Sequence, residues 1–159
     1  MDSKKQNVSV RLSTSDLRRI KEIAQRMHVR ESDVFRFAVK TVLATLMPLN
    51  DPHVKGKDLL PMFADCYRDL TRHFEFDASR LERIINSGVD DPDQIVDRDD
   101  IELLVMAAVQ ENYALMRLNK LLESEDDRRD LGSALKAYLL DKYVGKRTDP
   151  RLDTALEPA

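Results

Sequence analysis

The sequence predicts a mainly α-helical chain, with one short strand and two helices first and an all-α domain of about four helices after them. Two observations predict this fold class. Polar and apolar residues alternate convincingly only over residues 7–12, and this period of two is typical of a strand with one buried face. Elsewhere apolar residues recur at spacings of three and four, which is the pattern of amphipathic helices.

The two helices that follow the strand have recognisable ends. Residues 13–16, Ser-Thr-Ser-Asp, supply capping side chains for a helix that is expected to end near His28. A second apolar stripe begins near Val34, and Pro48 is expected to close that helix because proline cannot donate a backbone hydrogen bond. The first domain is therefore expected at residues 1–49.

The single strand predicts a dimer. Its backbone N–H and C=O groups need a partner, and an exposed strand edge invites pairing with another chain. Antiparallel pairing of two copies would satisfy both strands and bury their apolar faces on the helices, so we expect an obligate homodimer. The expected dimer core consists of Val8, Val10, Leu12, Leu17, Ile20, Val34, Phe35, Ala38 and Val42.

The charge is unevenly distributed along the chain. The whole chain has a formal net charge of −3. Residues 1–50 hold 10 Lys and Arg against 5 Asp and Glu, whereas residues 51–159 hold 16 against 24. A basic first part joined to an acidic remainder indicates a segment that faces nucleic acid, although a solvated charged helix face would also give part of the excess.

The stretch VSVRLSTSDLRRIKEIAQRMHVRESDVFRFAVKTVL resembles the ribbon-helix-helix family of DNA-binding proteins, the Arc and methionine repressor type, over roughly residues 6–46. The resemblance covers less than a third of the chain. It implies that two paired strands enter the major groove of double-stranded DNA and that their outward side chains contact base edges. In this chain those side chains are Asn7, Ser9 and Arg11, whose chemistry suits the task, since Arg can pair with guanine and Asn with adenine.

The resemblance also implies contacts to the DNA backbone. Family members hold a phosphate at the N-terminus of the second helix, which corresponds here to Arg30, Glu31 and Ser32. Lys4 and Lys5 are expected to run along phosphates, with a solvated tail as the alternative. The turn between the helices usually holds glycine where this chain has His28, which must then adopt a left-handed conformation.

The remainder is expected to hold a linker over residues 50–57, a helical domain over 58–145 and a loose tail over 146–159. Asp77 should cap a short helix that Gly88 stops, a long helix should run from about 100 to 122, and the last helix should start at Ser124 or Glu125. This domain could assemble dimers into tetramers, receive a small effector or bind another protein, and its pattern does not select among these roles.

No catalytic, cofactor or metal motif stands out. A calcium-loop frame that starts at Asp91 puts Glu102 in twelfth place, but Ile95 and Val96 stand where an oxygen ligand and a glycine are required. The lone Cys66 lies on an expected core stripe. We therefore expect a protein that is not an enzyme, with no metal and no cofactor.

No run of residues is long and apolar enough for a membrane span, and a cytoplasmic location is expected.

Three functional interpretations follow. The first is a sequence-specific transcriptional regulator, expected to repress. The second is an antitoxin whose first domain regulates its own operon. The apolar periodicity of residues 58–145 disfavours it, since antitoxin tails that fold on a partner have little hydrophobic core of their own. The third is a helical assembly protein that does not bind DNA, which the basic first part disfavours.

Overall fold

The computed structural model describes residues 5–123 and 130–145, and these hold seven α-helices, two 3₁₀ turns and no strand. The expectation of a mainly helical chain is confirmed. The chain divides into two compact units with the boundary between Leu46 and Met47. The α-helices are α1 (Thr14–Met27), α2 (Glu31–Asn50), α3 (Leu60–Phe74), α4 (Ala78–Asn86), α5 (Arg98–Val109), α6 (Glu111–Leu121) and α7 (Leu131–Tyr143), and the 3₁₀ turns are Gly56–Leu59 and Pro92–Gln94.

The predicted strand at residues 7–12 is absent from the single chain. Residues 5–13 have no regular secondary structure, and residues 5–12 are all exposed. A strand is defined by hydrogen bonds to a neighbouring strand. The described residues offer no such neighbour, so the alternating sequence alone does not create a strand.

Helix α1 has the ends that the sequence predicts. The Ser13 side chain accepts a hydrogen bond from the backbone N–H of Asp16 at 3.1 Å, which caps the N-terminus. At the other end His28 is left-handed, with φ 55° and ψ 39°. The N–H of Val29 reaches back to the carbonyl of Ala24 at 3.0 Å, which satisfies a carbonyl that the helix end would leave free.

Helix α2 continues beyond the proline that was expected to close it. It runs to Asn50, so Pro48 lies inside its last turn. A proline has no N–H to donate to the carbonyl four residues before it, so the last turn of α2 lacks that backbone hydrogen bond. The prediction of the helix end was therefore wrong by two residues.

The second unit is organised around α5. This helix packs against α3, α4, α6 and α7. Its apolar run supplies Leu103, Leu104, Ala107 and Ala108 to the core, all fully buried. The predicted Asp77 cap of α4 is also present, with the carboxylate accepting a hydrogen bond from the N–H of Arg80 at 2.7 Å.

The predicted long helix over residues 100–122 is broken at Gln110. This residue has φ −134° and ψ 70°, and α5 and α6 meet there. The break frees the carbonyl of Ala108, which accepts a hydrogen bond from Nε of Arg72 at 2.7 Å. Neither glycine nor proline stands at residue 110, so the sequence contains no local signal for a break in the helix. The arginine that covers the break comes from α3, which is distant along the chain.

The second unit therefore holds five α-helices in its described part, rather than about four. The predicted tail at 146–159 and the residues 124 and 125 themselves lie outside the described residues. The prediction that the last helix starts at Ser124 or Glu125 was wrong, because α7 starts at Leu131 and the residue before it is extended. Within the described part, Asp130 caps α7 by accepting from the backbone N–H of Ser133 at 2.9 Å.

Candidate functional site

The three side chains expected to contact bases are accessible. Asn7, Ser9 and Arg11 lie in the exposed segment before α1, and Lys5 is exposed as well. Their apolar neighbours are equally accessible, with Val8 83% and Val10 72% exposed. The single chain therefore distinguishes no inner and outer face of this segment. Lys4, the other lysine expected near phosphates, lies outside the described residues.

The first unit has almost no core of its own. Ala24 is its only buried apolar residue in the described part of the chain. Of the expected dimer core, Leu12, Leu17, Ala38 and Val42 are exposed, and Ile20, Val34 and Phe35 are half-buried. An apolar face this accessible is unusual in a soluble monomer.

A groove of about 560 Å³ lies between α1 and α2. It brings together three of the expected dimer-core residues, Val34, Ala38 and Val42. Its other walls include Ile23 and Met27 from α1 and Phe37 from α2. Ile23 and Met27 belong to the periodic stripe of α1, so the sequence contained their signal, but Phe37 falls off the α2 stripe and was missed.

The start of α2 gathers two arginines on one carboxylate. Nε of Arg30 lies 3.1 Å from Oδ2 of Asp33, and Nη1 of Arg36 lies 3.0 Å from Oδ1 of the same residue. The hydrogen bond from Arg30 is the main reason that the pKa of Asp33 is lowered. Exposed pairs of this kind stabilise a protein little, so both guanidinium groups can exchange the carboxylate for another anion.

This arrangement changes the expected phosphate site. Arg30 is at the helix start as anticipated, and Glu31 and Ser32 are exposed beside it. Arg36 was missed, although its position three residues after Asp33 places it on the same helix face. Free backbone N–H groups of a first helical turn and two guanidinium groups are together suited to an anionic oxygen.

The second unit contains a buried carboxylate with three donors. Asp100, in the first turn of α5, is only 2% exposed. Its Oδ1 accepts from the Tyr138 hydroxyl at 2.9 Å, and its Oδ2 accepts from Lys142 Nζ at 2.6 Å and from the Tyr143 hydroxyl. All three donors come from α7, so the cluster joins the start of α5 to the end of α7.

The protonation states of this Asp100 cluster follow from its contacts. Burial alone lowers the pKa of Lys142, but hydrogen bonds to Asp100 and Asp97 outweigh it, and the pKa is raised. Burial and the hydrogen bond to Asp100 raise the pKa of Tyr143. Lysine thus stays charged and tyrosine neutral near pH 7. A carboxylate whose oxygens are fully occupied by donors is poorly suited to proton transfer, and the cluster is structural.

Other acidic residues between Asp91 and Glu102 also have hydrogen-bond or ion-pair partners close by. Asp91 caps the second 3₁₀ turn, and Asp97 pairs with Lys142 at 2.8 Å. In residues 5–123 and 130–145, no group of three or more histidine, cysteine or acidic side chains could hold a metal ion. Cys66 is half-buried rather than buried, and burial, with Asp65 and Asp69 nearby, raises the pKa of its thiol.

None of the helices in the described part of the chain has the length and apolar character needed to cross a membrane. Comparisons with protein-family models, with curated proteins and with solved structures find no match for this chain.

Proposed function

We propose that the chain is a sequence-specific DNA-binding transcriptional regulator that acts as an obligate homodimer, with repression as its expected effect. The observation that carries the proposal is the first unit, where both helices expose apolar faces and Ala24 alone is buried among the described residues. A second copy of the unit would cover these faces and would pair the two exposed segments over residues 7–12 into a two-stranded ribbon.

The polar side chains support a DNA partner for such a dimer. Alternation over residues 7–12 means that pairing which turns Val8 and Val10 inward turns Asn7, Ser9 and Arg11 outward together. A two-stranded ribbon fits the major groove of DNA. The excess of basic residues in the first 50 positions would supply the attraction to phosphates, with Arg30 and Arg36 as backbone contacts.

The experiment begins with binding of the full chain to random duplex DNA at low salt, followed by selection of preferred sequences from a random pool. Arg11→Ala should then reduce discrimination between the selected site and random DNA by about 1–3 kcal/mol, because one bidentate base contact is lost. Arg18→Ala is the matched control, since it removes an exposed arginine of α1 whose only ion pair within residues 5–123 and 130–145 is a long one, 4.0 Å, to Glu22. The control should leave discrimination unchanged.

The alternatives predict different results. A helical assembly protein would not bind duplex DNA even at low salt, and this outcome would reject our proposal outright. An antitoxin would bind its operator as a regulator does, but its remaining part would gain order only with a toxin. The described part of the second unit already contains a packed helical core, which favours the regulator.

A further inference from the structure

Asp33, in the first turn of α2, is paired with both arginines of the proposed phosphate contact. Arg30 donates from Nε to Oδ2 at 3.1 Å and from Nη2 to Oδ1 at 3.5 Å. Arg36 donates from Nη1 to Oδ1 at 3.0 Å. The spacing of three residues places all three side chains on one helix face, and we name them the Asp33 triad.

The Asp33 triad is accessible and charged. The side chains of Arg30 and Arg36 are 78% and 67% exposed, so a macromolecule can reach both guanidinium groups. The side-chain hydrogen bond from Arg30, followed by the charges of both arginines, lowers the pKa of Asp33, and its carboxylate is therefore ionised near pH 7. Each of the two cations thus already has an anionic partner in the free protein.

A phosphate of DNA would make the same kind of contact as this carboxylate. Both groups offer anionic oxygens that accept two parallel N–H groups from one guanidinium edge. The edge of Arg30 that donates to Asp33 from Nε and Nη2 cannot donate to a phosphate at the same time. A phosphate that takes this edge must displace the carboxylate, which also repels it at short range.

The ion pair of α1 provides a contrast. Arg18 and Glu22 are both exposed, and their nearest charged atoms are 4.0 Å apart. Neither residue belongs to the proposed DNA interface. Loss of the Glu22 charge would change the net charge of the protein by the same amount as loss of the Asp33 charge. It would release no arginine that the proposed interface uses.

We propose that Asp33 is an internal competitor for the DNA phosphate: its carboxylate occupies Arg30 and Arg36 in the free protein and leaves them when the phosphate binds. This inference rests on the proposed DNA-binding function and adds a residue that limits its strength. Phosphate contacts carry no sequence information, so Asp33 weakens binding to every duplex by the same factor. It keeps binding to random DNA weak and leaves recognition to the base contacts.

The test compares Asp33→Asn with Glu22→Gln in the full chain, by titration of a random duplex and of the selected site. At about 50 mM salt, Asp33→Asn should bind both duplexes at least about threefold more tightly than the unsubstituted protein, because both arginines are released. Glu22→Gln should gain less than about twofold. The gain of Asp33→Asn should shrink as salt increases, since screening weakens the ion pairs that the substitution removes.

A second background shows whether the gain comes from the two arginines. In a protein that carries both Arg30→Gln and Arg36→Gln, Asp33→Asn should raise DNA affinity no more than Glu22→Gln does, because no guanidinium group is left to release. Asparagine keeps a side-chain oxygen at the start of α2, so the circular dichroism and Tm of the free Asp33→Asn protein should match those of the unsubstituted protein.

The outcomes separate this proposal from the DNA-binding function on which it rests. Equal affinities of the Asp33→Asn and Glu22→Gln proteins, or a gain that persists without the two arginines, would overturn the proposal and leave DNA binding intact. Weaker binding by Asp33→Asn would mean that the carboxylate orients the arginines for the phosphate, and would also overturn it. If the unsubstituted protein and its variants bind no duplex at low salt, both proposals fail.

Discussion

The two units of this protein treat apolar residues in opposite ways. The second unit holds 19 of the 20 buried apolar residues in the described chain, and the first holds only Ala24. The first unit is not poor in such residues, since Phe37 is 70% and Val42 54% exposed on α2. Periodic apolar residues therefore form a core inside one chain in the second unit, whereas in the first they stay exposed in the single chain.

The units also differ in how they hold acidic residues. Asp33 in the first unit is paired with two arginines but stays accessible, and such pairs contribute little to stability. Asp100 in the second unit is buried, and three donors from α7 satisfy it. The first arrangement leaves its cations available for a partner. In the second arrangement the cation, Lys142, is held by the buried carboxylate and stabilises the fold.

The largest effect is expected from Asp100→Ala. Removing the carboxylate leaves Lys142 and two tyrosine hydroxyls without their acceptor at the α5–α7 contact, so the free energy of unfolding should fall by about 3–5 kcal/mol. Chemical denaturation followed by circular dichroism measures this loss. Asp99→Ala is the control, because its side chain is 85% exposed and meets Arg117 only at 3.8 Å, and it should cost less than about 1 kcal/mol. Equal losses for both variants would contradict a structural role for the cluster.

A pair of core substitutions compares the units directly. Leu104 is fully buried in α5, so Leu104→Ala should cost about 2–5 kcal/mol at every protein concentration. Val42→Ala changes a residue that is exposed in the single chain, so it should act only through the proposed dimer, and its effect should then grow as the protein is diluted. Hydrogen exchange of the full chain, read from peptides of each unit at several concentrations, separates the two. Concentration-independent loss of protection at Val42 would argue for a self-sufficient first unit.

The smallest effect is expected in alkali. The pKa of Tyr143 is raised in the fold, mainly by burial and then by Asp100, so the folded state keeps a proton that the unfolded chain releases above about pH 10. The stabilisation is complete below that pH and is lost as the pH rises further. Tyr143→Phe should flatten the fall in unfolding free energy between about pH 9 and 11. Tyr113→Phe is the control, because it changes an exposed tyrosine of α6. An unchanged profile would contradict this account.

Local sequence signals predicted the helix ends well. Ser13 and Asp77 cap α1 and α4, because a side-chain oxygen two or three residues before a free N–H needs no distant partner. The left-handed His28 was also anticipated. Features that depend on distant residues were missed. The break at Gln110 is covered by Arg72 from α3. Arg36 lies near Arg30 because both side chains pair with the carboxylate of Asp33.

By itself, the sequence determined which residues form helices, where most helices end, and that the basic and acidic residues are separated along the chain. These properties follow from periodicity, capping and composition, which act over a few residues. Only the tertiary structure decided which apolar stripes are covered within one chain and which carboxylate is buried. Burial and hydrogen-bond satisfaction depend on residues brought together from different helices, and spacing along the chain does not specify these contacts.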